Sequence, residues 1–172
     1  MPKQIDGEEF FEKAKAIRLV AMDVDGTLTD GVITILSDGR EAKNFNVRDG
    51  FGIVRAQREG LVIAWVSGRY SEVTNIRAEE LGISHIIQGK LDKLSAVRQL
   101  AGELSISLGE TAFIGDDTID AEIMNNVGLG VAVADSDPML LESSEWVTSA
   151  AGGKGAVREL LDQITLAQSK AT

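Results

Sequence analysis

The sequence predicts an α/β fold in three layers, a mostly parallel sheet between two layers of helices, and three observations carry that prediction. Apolar runs at Ile17 to Val24, Leu61 to Val66, Thr111 to Ile114 and Leu129 to Val133 alternate with longer stretches of helical periodicity. These runs are apolar at nearly every residue and not only at alternate ones, the pattern of strands covered on both faces in a parallel sheet. Glycine follows the helical stretches at Glu59-Gly60, Leu81-Gly82 and Val127-Gly128, where a left-handed C′ residue ends a helix.

Taken in order, Asp6 with Glu9 three residues on, ahead of Phe10, Phe11 and Ala14, reads as a capped helix from Asp6 to Ala16, a helical extension over residues 1–16. The strand Ile17 to Val24 opens a single domain over residues 17–172. Val32 to Leu36 and Glu41 to Val47 flank Ser37-Asp38-Gly39-Arg40, an Asp-Gly turn between β-prone runs, and predict a hairpin over about residues 32–47 that projects from the rest. Helices are then expected over Gly50 to Glu59, Ser71 to Leu81, Lys90 to Leu104 and Asp117 to Val127, with a helical turn at Pro138 to Glu142 and a last helix at Gly155 to Gln168. Short strands at His85 to Ile87 and Trp146 to Val147 complete the alternation, and the C-terminal tail spans about residues 150–172.

Composition narrows the chemistry. At 172 residues, 44% hydrophobic, 26% charged and with 2 Pro, the chain is one folded domain of ordinary size. With no Cys and 1 His, thiolate and imidazole-rich metal centres are excluded, so any metal is held by oxygen. A formal charge of −10 with no basic run argues against nucleic acid and anionic membrane as partners. No apolar run approaches the ~18 residues of a membrane span, and the expected setting is cytoplasmic.

Ligands in parallel α/β sheets bind beyond the carboxyl ends of the strands. Past the first run stand Asp23, Asp25, Gly26 and Thr27; past the second, Ser67, Gly68 and Arg69; past Thr111 to Ile114, Gly115, Asp116, Asp117 and, one helical turn on, Asp120. If those strands are neighbours, the carboxylates crowd together and need a cation, and an all-oxygen site suits Mg²⁺. Lys93 after Gln88-Gly89 is a candidate second counter-charge, and Asp120 is expected to orient the loop or to bond Ser67 or Lys93.

In this order and context, Asp23-Val24-Asp25-Gly26-Thr27, Ser67, Lys93 and Gly115-Asp116-Asp117-Thr118-Ile119-Asp120 resemble the four motifs of the haloacid-dehalogenase-type (HAD) phosphatase superfamily. The resemblance implies a Rossmann-like HAD fold with Asp23 as nucleophile and Asp25 as acid and base. It implies a metal held by Asp23, Asp25 through its carbonyl and Asp116, with Asp117 acting through water, and phosphoryl oxygens bound by Gly26, Ser67, Gly68 and Lys93. The segment from Asp25 to Lys93 leaves no room for a cap domain. Thr29-Asp30-Gly31, Phe45 to Gly50, Ser67-Gly68-Arg69 and Gly152 to Glu159 are similar to the capless 3-deoxy-D-manno-octulosonate 8-phosphate phosphatases.

That second resemblance implies an anionic sugar-phosphate substrate. Its sugar-binding positions fall on Arg48, Asp49 and Arg69, with Lys154 and Arg158 from the tail; Lys154 stands where many relatives carry the planar fork of Arg. It also implies a homotetramer assembled through the hairpins, with the glycine-rich C-terminal segment reaching a neighbour's site. Competing readings are a phosphatase for a nine-carbon 2-keto-3-deoxy sugar acid 9-phosphate, a phospho-acceptor switch, and an accessory module. Asp25 argues against the switch, because a second carboxylate two residues past the nucleophile speeds hydrolysis of the phosphoryl group a switch must keep.

Overall fold

The structure, a computed structural model, describes residues 5–170. Six parallel strands form one sheet in the order β5-β4-β1-β6-β7-β8, with β1 (Leu19–Met22), β4 (Val62–Ser67), β5 (His85–Gln88), β6 (Thr111–Gly115), β7 (Leu129–Ala132) and β8 (Trp146–Val147). The chain builds outward from β1 through β4 to β5, then returns to the other side of β1 at β6. This reversal leaves a crevice at the carboxyl end of β1, where Met22 is in register with both Trp65 and Ile114.

Side chains alternate across the sheet and feed two cores. Val20, Met22, Ile63, Trp65 and Ile114 pack toward α1 (Gly7–Ala16), α2 (Val47–Arg58) and α7 (Ala156–Ser169). Leu19, Ala21, Ala64, Val66 and Phe113 pack toward α4 (Lys93–Glu103), α5 (Ala121–Met124) and α6 (Pro138–Ser143). The remaining helix, α3 (Glu72–Glu80), buries Thr74 and Ala78 and is capped by Ser71. Among the described residues no helix is long and apolar enough to cross a membrane.

Asp6 caps α1 by accepting from the Glu8 and Glu9 amides at 3.0 and 2.9 Å. The helix is part of the main core: Phe10 and Ala14 are buried, the Phe10 and Trp146 rings lie 4.7 Å apart, and Lys13 pairs with Glu145 at 2.6 Å. Residues 1–4 of the expected extension and 171–172 of the tail lie outside the described residues.

Several boundaries differ from the sequence expectation for local reasons. The hairpin ladder is shorter, β2 (Thr34–Ile35) against β3 (Glu41–Ala42), and α2 begins at Val47, because the Asn46 side chain caps the Arg48 amide at 2.8 Å. Arg48 and Asp49 thus sit in the first turn of a helix. The helix expected from Asp117 to Val127 is a 3₁₀ turn, Thr118–Asp120, followed by the short α5, since Asp117 and Asp120 cap that turn reciprocally. Gly60 and Gly82 take the left-handed φ expected of them, +100° and +68°. Gly128 does not; it is required because a Cβ there would lie 2.0 Å from the Gly109 carbonyl oxygen.

Candidate active site

Asp23 follows β1 directly and is held in sheet register by its amide, which donates to the Ile114 carbonyl at 3.0 Å. Its carboxylate is buried, and Lys93, from the first turn of α4, donates to Asp23 Oδ1 at 2.6 Å. The same Lys93 ammonium, only 3% exposed, donates to Asp120 Oδ1 at 2.6 Å. Asp120 is fully buried, and its Oδ2 accepts from the Asp116 and Asp117 amides at 3.1 and 3.4 Å. This inward fold of Asp120 requires Gly115, where a Cβ would lie 2.2 Å from Asp120 Oδ2.

Asp116 approaches from β6, its Oδ1 accepting from the Thr27 hydroxyl at 3.2 Å. Gly26 makes room for it: its φ is +97°, and a Cβ would stand 2.0 Å from Asp116 Oδ2. Asp23, Asp116 and Asp120 place one oxygen each within 4.8 Å of one another. Burial pushes the Asp116 carboxyl up to about 8, with the Asp23 charge adding to it. Burial also raises Asp23, to about 6, outweighing the opposing pull of Lys93. For Lys93, burial works against the charge, but the flanking carboxylates more than offset it and the pKa is raised.

Three carboxylates facing one ammonium are short of positive charge, and a divalent cation on this all-oxygen donor set supplies it. Both Asp120 oxygens accept hydrogen bonds, from Lys93 and from backbone amides, whereas Asp23 and Asp116 each accept at Oδ1, from Lys93 and from the Thr27 hydroxyl. Asp117, expected among the metal residues, turns back on its own loop; its Oδ1 accepts from the Thr118 amide at 2.6 Å and the Thr118 hydroxyl at 3.1 Å. The third carboxylate within 4.8 Å of Asp23 and Asp116 is that of Asp120.

Ser67 ends β4 beside Asp23, is buried, and accepts the Arg69 amide on its hydroxyl at 3.2 Å. Gly68 lies next to it, facing Leu91. Arg69 is not free: its guanidinium pairs with Glu41 of the hairpin, which also accepts from the Ser71 hydroxyl. Hydrogen bonds from Arg69 and Ser71 hold the Glu41 carboxyl below its usual range. Arg48 is exposed, and among the described residues its side chain has no ionic partner; the same holds for Lys154.

Asp49 is buried, and its two oxygens accept from the Gly155 amide at 3.3 Å and the Arg158 amide at 2.8 Å. It caps α7 from outside, where the helix's own N-cap, Gly155, offers no side chain. Burial raises the Asp49 carboxyl against these bonds. Arg158 itself donates to Asp162 at 2.6 Å and lies over the Phe51 ring.

The tail is also placed by its own subunit. A Cβ on Gly152 would stand 1.7 Å from the Gly26 carbonyl oxygen, the Gly153 amide donates to the Thr27 carbonyl at 2.9 Å, and Asn46 Nδ2 donates to the Gly153 carbonyl at 3.1 Å. Beyond it, Val157, Leu160, Leu161 and Ile164 of α7 are buried in the main core. Gly152, Gly153 and the buried face of α7 are thus packed against their own domain, while Lys154 between them is exposed.

One residue at the site escaped the sequence reading. Lys43, just past β3, places its ammonium 2.7 Å from Asp25 Oδ1 with its own side chain fully buried. The signal was available in the period-2 spacing of Glu41, Lys43 and Phe45, which puts all three on one face of an extended segment.

Aspartates at the ends of two adjacent central strands, a lysine bonded to the first of them, and a serine at the end of a third strand are the arrangement of a phosphoryl-transfer site. The chain belongs to the haloacid dehalogenase-like hydrolase family, which it matches over residues 53–160. It is 46% identical over 158 residues, 92% of this chain and 84% of the relative, to the 3-deoxy-D-manno-octulosonate 8-phosphate phosphatase KdsC of Escherichia coli K12. The crystal structure of the Moraxella catarrhalis phosphatase of that name, in complex with a magnesium ion, a phosphate ion and KDO, superposes with a TM-score of 0.93 at 43% identity, over 96% of this chain and 95% of that one. The cobalt-bound deoxy-D-mannose-octulosonate 8-phosphate phosphatase of Haemophilus influenzae matches with a TM-score of 0.88 at 38% identity, over 92% and 93% of the two chains.

Proposed function

We propose that this protein is a magnesium-dependent phosphatase that hydrolyses 3-deoxy-D-manno-octulosonate 8-phosphate to the free sugar acid and phosphate. The observation that carries the reading is the buried Asp23 carboxylate, bonded to Lys93 and clustered with Asp116 at the switch point of the sheet. A carboxylate so placed is a nucleophile for phosphorus, because phosphoryl transfer asks chiefly for in-line positioning and neutralised charge.

Asp23 attacks the substrate phosphorus as the bond to the sugar oxygen breaks, and Asp25 gives its proton to the departing alcohol. Asp25 then takes a proton from the water that attacks the aspartyl-phosphate, releasing phosphate and restoring Asp23. Mg²⁺, which the Asp23 and Asp116 carboxylates and the Asp25 carbonyl would hold, with Asp117 acting through water, would supply a Lewis acid for the phosphoryl oxygens. Lys93, the Ser67 hydroxyl and the amides near Gly26 and Gly68 bind those oxygens, while Asp120 holds Lys93 and the Asp116 loop in place. Arg48 and Lys154, brought to neighbouring backbone by the Asn46–Gly153 bond, and Arg69 receive the sugar carboxylate and hydroxyls. Asp49 and Arg158 act on the same rim by fixing the start of α7.

The reading includes a homotetramer joined through the hairpins, supported by the exposure there of Val32, Ile35 and Leu36 among the described residues. It also includes a cytoplasmic location, since a phosphorylated sugar acid is a polyanion that stays in the compartment where it is made. A light-scattering mass of one chain would remove the tetramer.

The test is phosphate release from the eight-carbon substrate, its nine-carbon 9-phosphate analogue and common sugar phosphates, with Mg²⁺ and with EDTA, beside Asp23→Asn. Metal-dependent preference for the eight-carbon acid, abolished in the variant, is expected. Equal rates on all phosphates would discard the substrate and keep the chemistry; no turnover on any would return the weight to a switch or accessory module.

A further inference from the structure

The hairpin reaches the active site through one face. Glu41, Lys43 and Phe45 share that face at spacing i, i+2, i+4. Glu41 bonds Arg69 and Ser71, Lys43 meets Asp25 and Thr74, and Phe45 stacks on Trp65 at 6.0 Å. Ala42 and Asn44, between them, are exposed. Of the three inward contacts only that of Lys43 touches a group assigned to the acid–base step.

A lysine ammonium is rarely buried without a partner, because its desolvation costs several kcal/mol. Here the side chain is 0% exposed, and among the described residues its one ionic partner is Asp25, at 2.7 Å, with the Thr74 hydroxyl 3.3 Å away. Asp25 Oδ1 is itself buried and accepts no hydrogen bond from any described residue, although the side chain as a whole is 22% exposed. The ammonium therefore fixes one carboxylate oxygen by charge and leaves Oδ2 as the oxygen that faces the crevice. Oδ1 and Oδ2 of an unheld aspartate exchange by rotation about χ2, and a proton carried on the wrong oxygen, or ~1 Å away, costs on the order of 10²-fold in rate.

We infer that Lys43 is a positioning residue for the acid–base step: it holds Asp25 by Oδ1 so that Oδ2 delivers the proton to the leaving alcohol and later takes one from water. This rests on the reading of Asp25 as the acid and base. It gives the hairpin a catalytic consequence, because the segment that carries Lys43 runs directly from β3, and whatever fixes the hairpin fixes the acid.

The discriminating experiment compares kcat/KM, which reports steps up to departure of the leaving group, on two substrates. One is 3-deoxy-D-manno-octulosonate 8-phosphate, whose alkoxide must be protonated; the other is 4-nitrophenyl phosphate, whose phenolate leaves without help. For Lys43→Ala we expect a loss of about 30- to 100-fold on the sugar phosphate and less than about 3-fold on the aryl ester, within the range of general acid catalysis. Lys43→Arg should restore part of the first loss, and Lys43→Ala added to Asp25→Asn should cost nothing further on the sugar phosphate. Equal losses on both substrates, or additive losses in the double variant, would mean that Lys43 only supports the fold and would overturn the inference. Asp25→Asn with full activity on the sugar phosphate would instead remove the acid–base reading itself, and the inference with it. Thermal midpoints of all variants separate unfolding from either result.

Discussion

Lys93 reaches across 70 residues of sequence to donate to Asp23 at 2.6 Å and, from the same nitrogen, to Asp120 at 2.6 Å. Among the described residues the ammonium is the cation bonded within this cluster of three buried or half-buried carboxylates, and the proposed reaction uses the same charge. Lys93→Met removes it without changing much volume. Breaking such a buried pair costs about 3–5 kcal/mol, and loss of a preorganised charge on the phosphoryl group costs about 10²–10³ in kcat. Denaturant unfolding with and without Mg²⁺ checks the first expectation, and the magnesium-free protein should show the larger loss.

The cluster also fixes how stability should depend on pH. Asp23 and Asp116 are raised in the folded chain, to about 6 and about 8, chiefly by burial, with the Asp120 charge adding at Asp23 and the Asp23 charge adding at Asp116. The folded state then binds more protons than the unfolded one between about pH 4 and pH 8, so metal-free stability falls as pH rises through that window. A cation replaces those protons. The gain in thermal midpoint on adding Mg²⁺ should be larger at pH 8 than at pH 6, and a gain that shrinks as pH rises would contradict the proposed ligands.

Two glycine-to-alanine changes should have opposite signs. Gly152→Ala puts a Cβ 1.7 Å from the Gly26 carbonyl oxygen, next to the first motif, and something in the backbone must move. A lower melting temperature and reduced turnover are expected together. Gly102→Ala lies within α4 with nothing within 4 Å of the added Cβ, and should stabilise by about 0.5–1 kcal/mol with activity unchanged.

Asp49 offers a test of where the sugar site ends. Its carboxylate accepts from the Gly155 and Arg158 amides at the start of α7. Asp49→Ala should cost about 1–2 kcal/mol, as loss of a helix cap does, with Asp49→Asn retaining more of it. A rise in KM at unchanged stability would place this carboxylate on the substrate.

Much of the candidate site was legible because its residues stand at strand ends, and strand ends are marked by the stop of an apolar run. Asp23, Ser67 and Asp116 could each be found that way, and the order of the motifs paired them. Asp120 was harder to read. Its position one turn past Asp116 suggested a supporting role, but its placement in the carboxylate cluster depends on Gly115 leaving space for its side chain. Asp117, equally acidic and adjacent to Asp116, resembled a metal residue acting through water, and its Oδ1 accepts from the Thr118 amide. Lys43 was missed altogether, since a single lysine near a hairpin is on its face an ordinary solvated cation.

The sequence by itself determined the layer architecture, the parallel sheet, the absence of room for a cap and the oxygen donors of any metal site, because each follows from periodicity, spacing or the kinds of donor available, while the class of chemistry followed from resemblance to a known set of motifs. Only the tertiary structure decided which carboxylates meet, that Arg69 is paired with Glu41, that Gly152 and Gly153 lie against their own first motif, and that Lys43 is buried on Asp25. The reason is physical. Local pattern records what a residue prefers within a few positions, whereas a charge is placed by partners that the fold brings from tens of residues away, and a buried charge stays where its partner is.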